Sequence, residues 1–532
     1  MAMHDDGDRV SLEEARSALL ALATPTADEE VAVEDALGRI TATAISARLA
    51  SPHYRAAAMD GVAIASSGTR GASAESPLRL REVAPGVAVD KAGTSVCVVV
   101  DTGNPLPDWA DAVVRNEAIK RDGDGFAVSQ QVPRGRDVRA IGEDIAAGAP
   151  LLPSGHQIRP FDLGALLATG IARVRVRRRP TVAILATGGE IVEPGTEPAP
   201  GEIIEYNSRM LAAAVGEWGG TATYIGRNAD DLALLTDRVR GAASEFDLIC
   251  VIAGSAHGRK DFTLHALADA AGGRLSFRGI GMMPGKPTGL AVVAGKPVLA
   301  VPGYPVSAVL SCRELVGPFL AAKLGSLGAA SETVRAVVRR DTPSNLGVEE
   351  LLRVCLAVDG ETLVVAPLPR GAGSVTTLVR ADAILRIPAT SEGVAAGSTV
   401  DVELLRPRAE IGRTIVAAGL PHPLGAALEE ASRRHGVLVR WSYLGLSALD
   451  ATSALAAGEA HVACFGDDDA CGVPDARALL DDRLPGWRSF EVRRSGRASL
   501  LLALTPRFAA SALGSEVERR LATIAPQGFG VS

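Results

Sequence analysis

The stretch Thr181-Val182-Ala183-Ile184-Leu185-Ala186-Thr187-Gly188-Gly189 decides the fold class of this chain. It is a short apolar run that ends in a glycine turn, which is typical of a buried strand. Three more runs of strand length follow, at residues 222–225, 247–253 and 297–301. Helical patterns accompany them: one follows Asn207, a predicted N-cap, to residue 218, and the others lie at 230–243 and from 305 to about 323. Strands that alternate with helices predict a doubly wound, mostly parallel α/β sheet.

A ligand site is expected at one edge of this sheet, because ligands bind beyond the carboxyl ends of the strands in doubly wound folds. Glycine-bearing loops follow three of the predicted strands, at residues 187–190, 254–261 and 302–305. Their backbone amides suit a phosphate or another oxyanion, as does Lys286 in its Pro-Gly-Lys-Pro turn. Each loop alone is typical of a structural turn, whereas the whole set on one edge favours an anionic ligand.

The flanking segments have a different character. Ser11-Leu12-Glu13-Glu14 is a capping-box pattern that predicts a helix to about residue 22, and a second helix is predicted from about Asp28. Short β-branched runs between Gly and Pro turns predict a β-rich domain within residues 51–159 and a small β domain at 329–405. The tail after residue 412 mixes helical patterns, at 424–434 and 447–457, with strand-like ones, at 437–441, 461–465 and 498–504.

The composition excludes several classes of protein. Among 532 residues, 47% are hydrophobic and 22% are charged, so the chain can build cores and is not disordered as a whole. The net charge of -7 argues against a broad basic surface for nucleic acid. The six cysteines form no CxxC pair, no secretory signal is seen, and no apolar run reaches about 18 residues. We therefore expect a cytoplasmic protein with buried thiols and without nucleic-acid or membrane partners.

Six short motifs occur in order within residues 8–406. They are 51-SP-52 with 57-AAMDGVA-63, 101-DTGNPLP-107, 136-RDVRAIGED-144, 186-ATGGE-190, 280-IGMMPGKP-287 and 301-VPGYPVS-307. In order and spacing they resemble the SP…SAMDGYA, MTGAPVP, NVR..GED, STGDEL, KPGKP and LPGNPVS motifs of the MoeA family, the molybdopterin molybdenumtransferases. A set of six ordered motifs is far more specific than any one of them.

The resemblance implies a function and a set of partners. MoeA proteins insert molybdate into the dithiolene of molybdopterin, and they use adenylyl-molybdopterin (molybdopterin-AMP), release AMP and need a divalent cation such as Mg²⁺. The family forms a homodimer, with the active cleft between the α/β domain of one subunit and the β-rich domain of the other. Contact with a molybdopterin adenylyltransferase or an apo-molybdoenzyme would also be expected.

With this resemblance, the predicted fold class is multidomain α/β plus β. A linking helical and extended domain is predicted at residues 8–28, 47–54 and 147–178, with a β-rich domain at 29–46 and 55–146. The α/β molybdopterin-binding domain is predicted at 179–328, and the small β domain at 329–406. The tail at 412–532, through 443-YLG-445 and 454-ALAAGEAHVA-463, resembles the periplasmic-binding-protein-like domain fused to some MoeA proteins.

The resemblance also implies roles for single residues. The expected catalytic residues are Asp60, Thr102, Asp144, Glu190 and Asp261, with Glu190 and Asp261 as Mg²⁺ ligands, since this cation prefers oxygen. The expected substrate-binding residues are Arg139, Thr187, Gly188, Gly254, Ser255, Lys286, Pro302 and Pro305. Arg139 would neutralise ligand charge or orient Asp144, and the two prolines would shape their loop.

Structural alternatives stand beside several of these roles. Asp60 precedes Gly61 and is also typical of a turn, Glu190 of an exposed helix start, and Asp261 of a helix cap. Lys286 has the alternative of a solvated surface lysine, and His257 is interpreted as a surface turn residue rather than a catalyst. The acidic run Asp467-Asp468-Asp469 is interpreted as a solvated loop rather than a metal site with His461.

Departures from the motifs leave a second function open. Gly189 replaces the acid of STGDEL, Asn228-Ala229 stands where the family usually has two aspartates, and Met283 replaces the first lysine of KPGKP. Glu205-Tyr206-Asn207 replaces the family's DSN. The alternative is a non-catalytic molybdopterin-binding or scaffold protein with a regulatory, anion-sensing tail. The related adenylyltransferase lacks the β-rich domain that holds Asp60, and the sequence does not separate molybdate from tungstate.

Overall fold

The computed structural model describes residues 9–87, 89, 95–228, 231–253, 262–326, 328, 331–419, 429, 432–433, 438–441, 448–466, 480–482, 484–493, 499–511, 514–515 and 519. The chain is a multidomain α/β protein that divides into two compact units. The first unit comprises Met1–Thr24, Arg179–Lys323 and Leu327–Ser532, and the second comprises Pro25–Arg178 with Leu324–Ser326.

The first unit contains the α/β sheet that the sequence predicts. Its strand order is Thr221–Asn228, Thr181–Thr187, Leu248–Ile252, Lys296–Val301, Gly289–Val293 and Phe277–Arg278. The first four strands run parallel to one another, and Gly289–Val293 pairs antiparallel with both Lys296–Val301 and Phe277–Arg278. The parallel part places the carboxyl ends of its strands at a single edge of the sheet.

Helices cover both faces of this sheet. They are Asn207–Glu217, Leu232–Glu245, Phe262–Ala270 and Pro305–Leu324, and the N-terminal helix Leu12–Leu20 begins with the predicted capping box. Val182 and Ile184 belong to one buried core, and Ala183 and Leu185 belong to another. Alternate residues of a strand lie on opposite faces, so a strand buried on both sides reads as a continuous apolar run.

The small β domain is closed. Its strands are Glu349–Asp359, Thr362–Pro367, Thr333–Val338, Thr399–Leu404 and Ala383–Ile387, in that order around the sheet. The pairing of Ala383–Ile387 with Glu349–Asp359 completes the circle, and we call this element the barrel. Met282–Met283 adds to it as a short parallel strand beside Glu349 and Glu350. Short elements complete the domain: Thr342–Pro343, Gly393–Val394, Thr376–Arg380 and Arg408–Ile411.

The tail forms a separate five-stranded sheet in the order Leu438–Trp441, Thr414–Gly419, Val462–Gly466, Ser499–Leu504 and Arg488–Arg493. Helix Ala448–Ala456 packs against its central strands, and Pro506–Ala509 follows the sheet. The tail shares a hydrophobic core with the barrel, which includes Cys355, Ala357 and Val364 of the barrel and Ala454, Leu455 and Phe465 of the tail. The predicted helix at 424–434 lies almost wholly outside the described residues.

The second unit is built on a six-stranded sheet. Its order is Ala112–Arg115, Gly61–Ile64, Val96–Val100, Leu78–Glu82, Gly125–Val128 and Ile119–Asp122. The helix Pro160–Ala168 and three strand pairs accompany it. The pairs are Asp28–Ala32 with Arg173–Arg177, Ile45–Ser46 with Pro150–Leu152, and Ala56–Ala57 with Val138–Arg139. In the described part of the chain, no helix is long and apolar enough to cross a membrane.

The second helix predicted from Asp28 is wrong. Asp28–Ala32 is a strand, and only Val33–Asp35 forms a single 3-10 turn. The strand pairs antiparallel with Arg173–Arg177, and Glu30 accepts a hydrogen bond from Arg173 Nε at 3.1 Å. Acidic residues on one strand thus face arginines about 145 positions later in the chain, a long-range pairing that a local pattern does not contain.

Candidate active site

The turn after Thr181–Thr187 opens the carboxyl edge of the α/β sheet. Thr187 is buried, and its hydroxyl donates to the Ile252 carbonyl of the adjacent strand at 3.0 Å. Gly188 has a φ of +133°, and a Cβ there would lie 2.8 Å from Oε2 of Glu190. The turn therefore requires glycine and holds the Glu190 carboxylate against the Gly188 backbone. Ligand binding by these three residues stays a prediction.

A second loop of this edge, Pro302-Gly303-Tyr304, is held from two sides. Nδ2 of Asn207 donates to the Gly303 carbonyl at 2.7 Å, and the Val306 amide donates to the Ala372 carbonyl of the barrel at 3.0 Å. Pro305 is the first residue of helix Pro305–Leu324, a position that suits its fixed φ. Both prolines lie in the predicted loop, and their role toward a ligand stays a prediction.

Asn207 does not cap its helix as predicted. The N-cap is Tyr206, and the buried Glu205 carboxylate accepts from the Ser208 amide at 2.8 Å and the Ser208 hydroxyl at 2.5 Å. The side chain of Asn207 is therefore used for the Gly303 loop, and its Oδ1 is a buried atom without a hydrogen-bond partner among the described residues. Capping and loop support are thus divided between two residues of the Glu-Tyr-Asn run.

The Pro-Gly-Lys-Pro turn is a third, rigid loop. Gly285 has a φ of +137°, and a Cβ there would lie 2.3 Å from Cε of Met282, so only glycine fits. Thr288 donates from its hydroxyl to the Gly285 carbonyl at 2.7 Å. Lys286 is half-buried on this turn, and its carbonyl accepts from the Ile280 amide at 3.0 Å. The backbone that carries this cation is therefore fixed.

The barrel contributes a charged cluster that the sequence motifs did not predict. Arg353 is 1% exposed and donates to the Pro369 carbonyl at 2.8 Å. Burial above all, and the nearby Arg370 cation, lower the pKa of Arg353 to about 10, although Glu350 acts in the opposite direction. Arg370 donates to the buried Glu350 carboxylate at 2.6 Å. The available signal was an arginine inside the apolar run Leu351-Leu352-Arg353-Val354.

In the second unit, the structure brings Asp60 and Thr102 together. Both the amide and the hydroxyl of Thr102 donate to Oδ1 of Asp60, at 2.6 and 2.8 Å. Both bonds lower the pKa of the exposed Asp60 carboxyl, and the bond from the Thr102 amide contributes more than the bond from its hydroxyl. Gly61 follows in the strand, where a Cβ would meet the Val114 carbonyl oxygen at 2.0 Å. Asp60 is thus held as an ionised acceptor at the surface.

The third motif of the second unit lies beside the first. The amide of Ala58 donates to the Asp137 carbonyl at 2.8 Å, and the Asp137 carboxylate pairs with Arg115 through two bonds. Arg139 does not orient Asp144 through a described contact; its guanidinium lies 3.5 Å from Glu143. Asp144 is exposed, and its amide donates to the Ser51 carbonyl at 3.1 Å.

Several predicted residues lie outside the described residues. They are Gly254, Ser255, His257, Asp261 and the run Asp467-Asp468-Asp469. Among the residues that the structure describes, no group of three His, Cys, Asp or Glu side chains could hold a metal ion. His461 is half-buried, and both of its ring nitrogens contact the backbone: Nδ1 accepts from the Val416 amide at 2.9 Å, and Nε2 lies 3.0 Å from the Val358 carbonyl.

Comparison with known proteins matches most of the chain to one family. Family models match the MoeA N-terminal region (domains I and II) at residues 10–170, a probable molybdopterin-binding domain at 183–322, and the MoeA C-terminal region (domain IV) at 335–405. The chain belongs to the MoeA family. It is 32% identical over 381 residues to Molybdopterin molybdenumtransferase 2 of Mycobacterium tuberculosis, a match that covers 70% of this chain and 94% of that protein.

Two solved structures support the same assignment. They are crystal structures of the MoeA molybdopterin biosynthesis protein from Pyrococcus horikoshii, with TM-scores of 0.66 and 0.55 and sequence identities of 32% and 30%. They match 75% and 74% of this MoeA family member and the full length of each solved chain. The three family matches end at residue 405, so the tail is not part of them.

Proposed function

We propose that this chain inserts molybdate into adenylyl-molybdopterin and releases AMP. As a member of the MoeA family, it is a molybdopterin molybdenumtransferase of molybdenum cofactor biosynthesis. The observation that carries the finer proposal is the convergence of loops on the first unit. The Gly188 turn ends a strand of the α/β edge, the Tyr304 loop follows another, and the Ala372 loop of the barrel bonds to the Tyr304 loop.

The chemistry of these loops suits a substrate with several negative charges. Phosphates and molybdate are oxyanions, which backbone amides and fixed cations bind well. Lys286 supplies a cation on a turn that cannot move freely, and Thr187 to Gly189 supply amides at a strand end. In the second unit, Asp60 supplies an ionised acceptor, because the bonds from the Thr102 amide and hydroxyl lower the pKa of its carboxyl.

Among the described residues of the α/β edge, Glu190 offers an oxygen ligand for the expected Mg²⁺. Glu190 is half-buried beside Gly188, and its carboxylate is of the type that Mg²⁺ prefers. We propose that Glu190 and Asp261 hold the cation, which would supply charge neutralisation for the phosphates. Asp261 lies outside the described residues. The test is therefore a calorimetric titration with Mg²⁺, in which Glu190→Gln should bind the cation more weakly than wild type.

The alternative of a non-catalytic binding or scaffold protein has a specific observation in its favour. Gly189 is exposed and has no side chain where the motif carries an acid, so one carboxylate is missing from this turn. Asn228 is buried, and its carbonyl accepts from the Gly188 amide at 3.2 Å, so the residue supports the turn through its backbone. A protein with these changes could retain the substrate and turn it over slowly.

AMP release separates the two functions. Wild type, Asp60→Asn and the control Asp108→Asn would be given adenylyl-molybdopterin with and without molybdate and Mg²⁺. Asp108 is an exposed aspartate of the same unit, and its carboxylate lies 3.9 Å from Arg55. We expect wild type and the control to release AMP only with both ions, and Asp60→Asn to lose about 100-fold or more of the rate. Tight binding without release by wild type would establish the scaffold function instead.

Finer expectations complete the proposal. We propose that the protein works as a homodimer in the cytoplasm and contacts a molybdopterin adenylyltransferase or an apo-molybdoenzyme, as the family resemblance implies. We also propose that the tail corresponds to one lobe of a periplasmic-binding-protein-like domain. Analytical ultracentrifugation tests the dimer, since a species of one chain mass at micromolar concentration would contradict it. Titration of wild type with molybdate beyond one site per chain tests a ligand in the tail.

A further inference from the structure

Arg370 is a cation that neither the family motifs nor the sequence analysis singled out. It follows Pro369 at the start of a glycine-rich loop, Arg370-Gly371-Ala372-Gly373-Ser374. Its Nε donates to Oε1 of Glu350 at 2.6 Å, and its Nη2 donates to the Pro343 carbonyl at 2.7 Å. Its side chain nevertheless remains 43% exposed. The guanidinium is therefore held in one place and still reaches solvent.

The position of Arg370 is next to two loops of the candidate site. Glu350, its partner, pairs laterally with Met283, the residue before the Pro-Gly-Lys turn. Laterally paired residues of adjacent strands lie on the same face of a sheet, so Glu350 and Met283 share a face, and Arg370 bonds to the carboxylate of Glu350. On the other side, a Cβ on Gly373 would lie 3.4 Å from the ring of Tyr304, so this loop contacts the Tyr304 loop.

The charges of this cluster do not balance. Arg353 and Arg370 are both cations. Arg370 forms an ion pair with Glu350, and the charge of Glu350 also acts to raise the pKa of Arg353. Glu350 is 2% exposed, and its Oε2 is buried without a hydrogen-bond partner among the described residues. Two guanidinium groups around one carboxylate leave a positive excess, which is stabilised by a further anion.

We propose that Arg370 binds an anionic group of the substrate and supplies the cation that Met283 does not provide. The inference rests on the proposed function and deepens it, because it assigns a binding residue on the barrel to the site. Arg370 forms hydrogen bonds to a phosphate or molybdate oxygen through the guanidinium edge that faces solvent. Glu350 is a positioning residue, since it acts through Arg370.

The rival explanation is structural, in which Arg370 only neutralises the buried Glu350. Three variants of the full chain separate the two. Arg370→Gln removes the cation, Glu350→Gln with Arg370→Gln removes both charges, and Met283→Lys with Arg370→Gln returns a cation from the neighbouring strand. Arg335→Gln is the control, because Arg335 is an exposed arginine on another strand of the barrel.

The probes are inorganic pyrophosphate and molybdate, each titrated by calorimetry, with the thermal midpoint recorded for every variant. We expect Arg370→Gln to raise the Kd for one of the two probes on the order of ten-fold, as the loss of a charge-assisted hydrogen bond predicts. The double neutral variant should recover stability and still bind weakly, and the lysine variant should recover part of the affinity. The probe that responds identifies the group as phosphate or oxomolybdate.

A wild-type Kd for both probes in Arg370→Gln would overturn the inference, and so would a double neutral variant that recovers affinity together with stability. In the AMP-release assay, Arg370→Gln should raise KM more than it lowers kcat. Absence of AMP release by wild type would defeat the proposed function and leave the titrations as the test of Arg370. AMP release by wild type with unchanged titrations would defeat only the role of Arg370.

Discussion

The barrel contacts the α/β domain on one side and the tail on another, and the two sides differ in how much of the contact is ionic. Toward the α/β domain, Arg386 links Glu349 and Glu403 of the barrel with Glu314 of helix Pro305–Leu324. Toward the tail, Cys355, Ala357, Val364 and Ala366 are buried in a shared apolar core. The α/β side combines this network of charges with the apolar residues Leu351 and Ile384. The tail side is mainly apolar and adds single polar contacts, such as Arg340 with Glu459.

The difference follows from the pattern of the barrel strands. In Glu349–Asp359, Leu352, Val354 and Leu356 face the barrel interior, and Cys355 and Ala357 face the tail. Both faces of this strand are buried at that end, which explains its nearly continuous apolar run. Ion pairs are directional, so the charges define which groups meet. Burial of apolar area, by contrast, supplies most of the free energy that stabilises the contact between barrel and tail.

The largest effect is expected from a charge on the apolar side. Val364→Asp places a carboxylate in a core that contains Phe465 and Leu455 of the tail. We expect the free energy of unfolding to fall by about 3–5 kcal/mol and the tail to become sensitive to protease. Urea unfolding and limited proteolysis measure both. Thr333→Asp is the control, at an exposed position of the same barrel, and an equal loss there would refute the comparison.

A smaller effect is expected from the ionic side. Arg386→Met keeps the length of the side chain and removes the charge, which leaves Glu314 with Arg16 and Arg313 as its remaining cations. Because Glu314 is nearly buried and keeps those partners, we expect a loss of about 2–3 kcal/mol in the free energy of unfolding. The loss should shrink when Glu403→Gln is combined with it, and strict additivity would contradict a shared network.

The smallest effect is expected from pH at the tail junction. His461 bonds the two sheets: its Nδ1 accepts from the Val416 amide, and its Nε2 lies 3.0 Å from the Val358 carbonyl. Burial lowers the pKa of His461, which outweighs the opposite influence of the Val358 backbone and Asp359. The folded protein therefore prefers neutral histidine, whereas the unfolded chain takes up a proton below a pH of about 6.5.

The free energy of unfolding should therefore be unaffected by this group above the ordinary histidine pKa and should fall as the pH drops below it. The charges near this junction are Asp359 with Arg339 and Arg507, and the pair of Arg340 with the buried Glu459. Urea unfolding at pH 7.5 and 5.5 would compare wild type with His461→Gln, which does not titrate. An equal pH dependence in both would show that another group is responsible.

Much of the fold could be predicted from local patterns, and particular residues show where such patterns stop. The strands around Ile184, Cys250 and Leu299 were predicted because burial on both faces leaves a continuous apolar run. The error at Asp28–Ala32 arose because that strand depends on partners at Arg173–Arg177, far away in the chain. Asn207 was predicted as a cap, and its side chain holds the Gly303 loop instead, because Glu205 caps the helix.

The sequence by itself determined the family, through six ordered motifs, and the residue types that can meet an anion. The need for glycine at three motif positions is visible only in the structure, since a Cβ at Gly61, Gly188 or Gly285 would collide with neighbouring atoms. Only the tertiary structure decided that Asp60 receives two bonds from Thr102 and that Arg370 bonds to the buried Glu350, which pairs with Met283. The physical reason is distance along the chain: local periodicity records which face of an element is buried, whereas charge pairing between distant segments exists only after they pack.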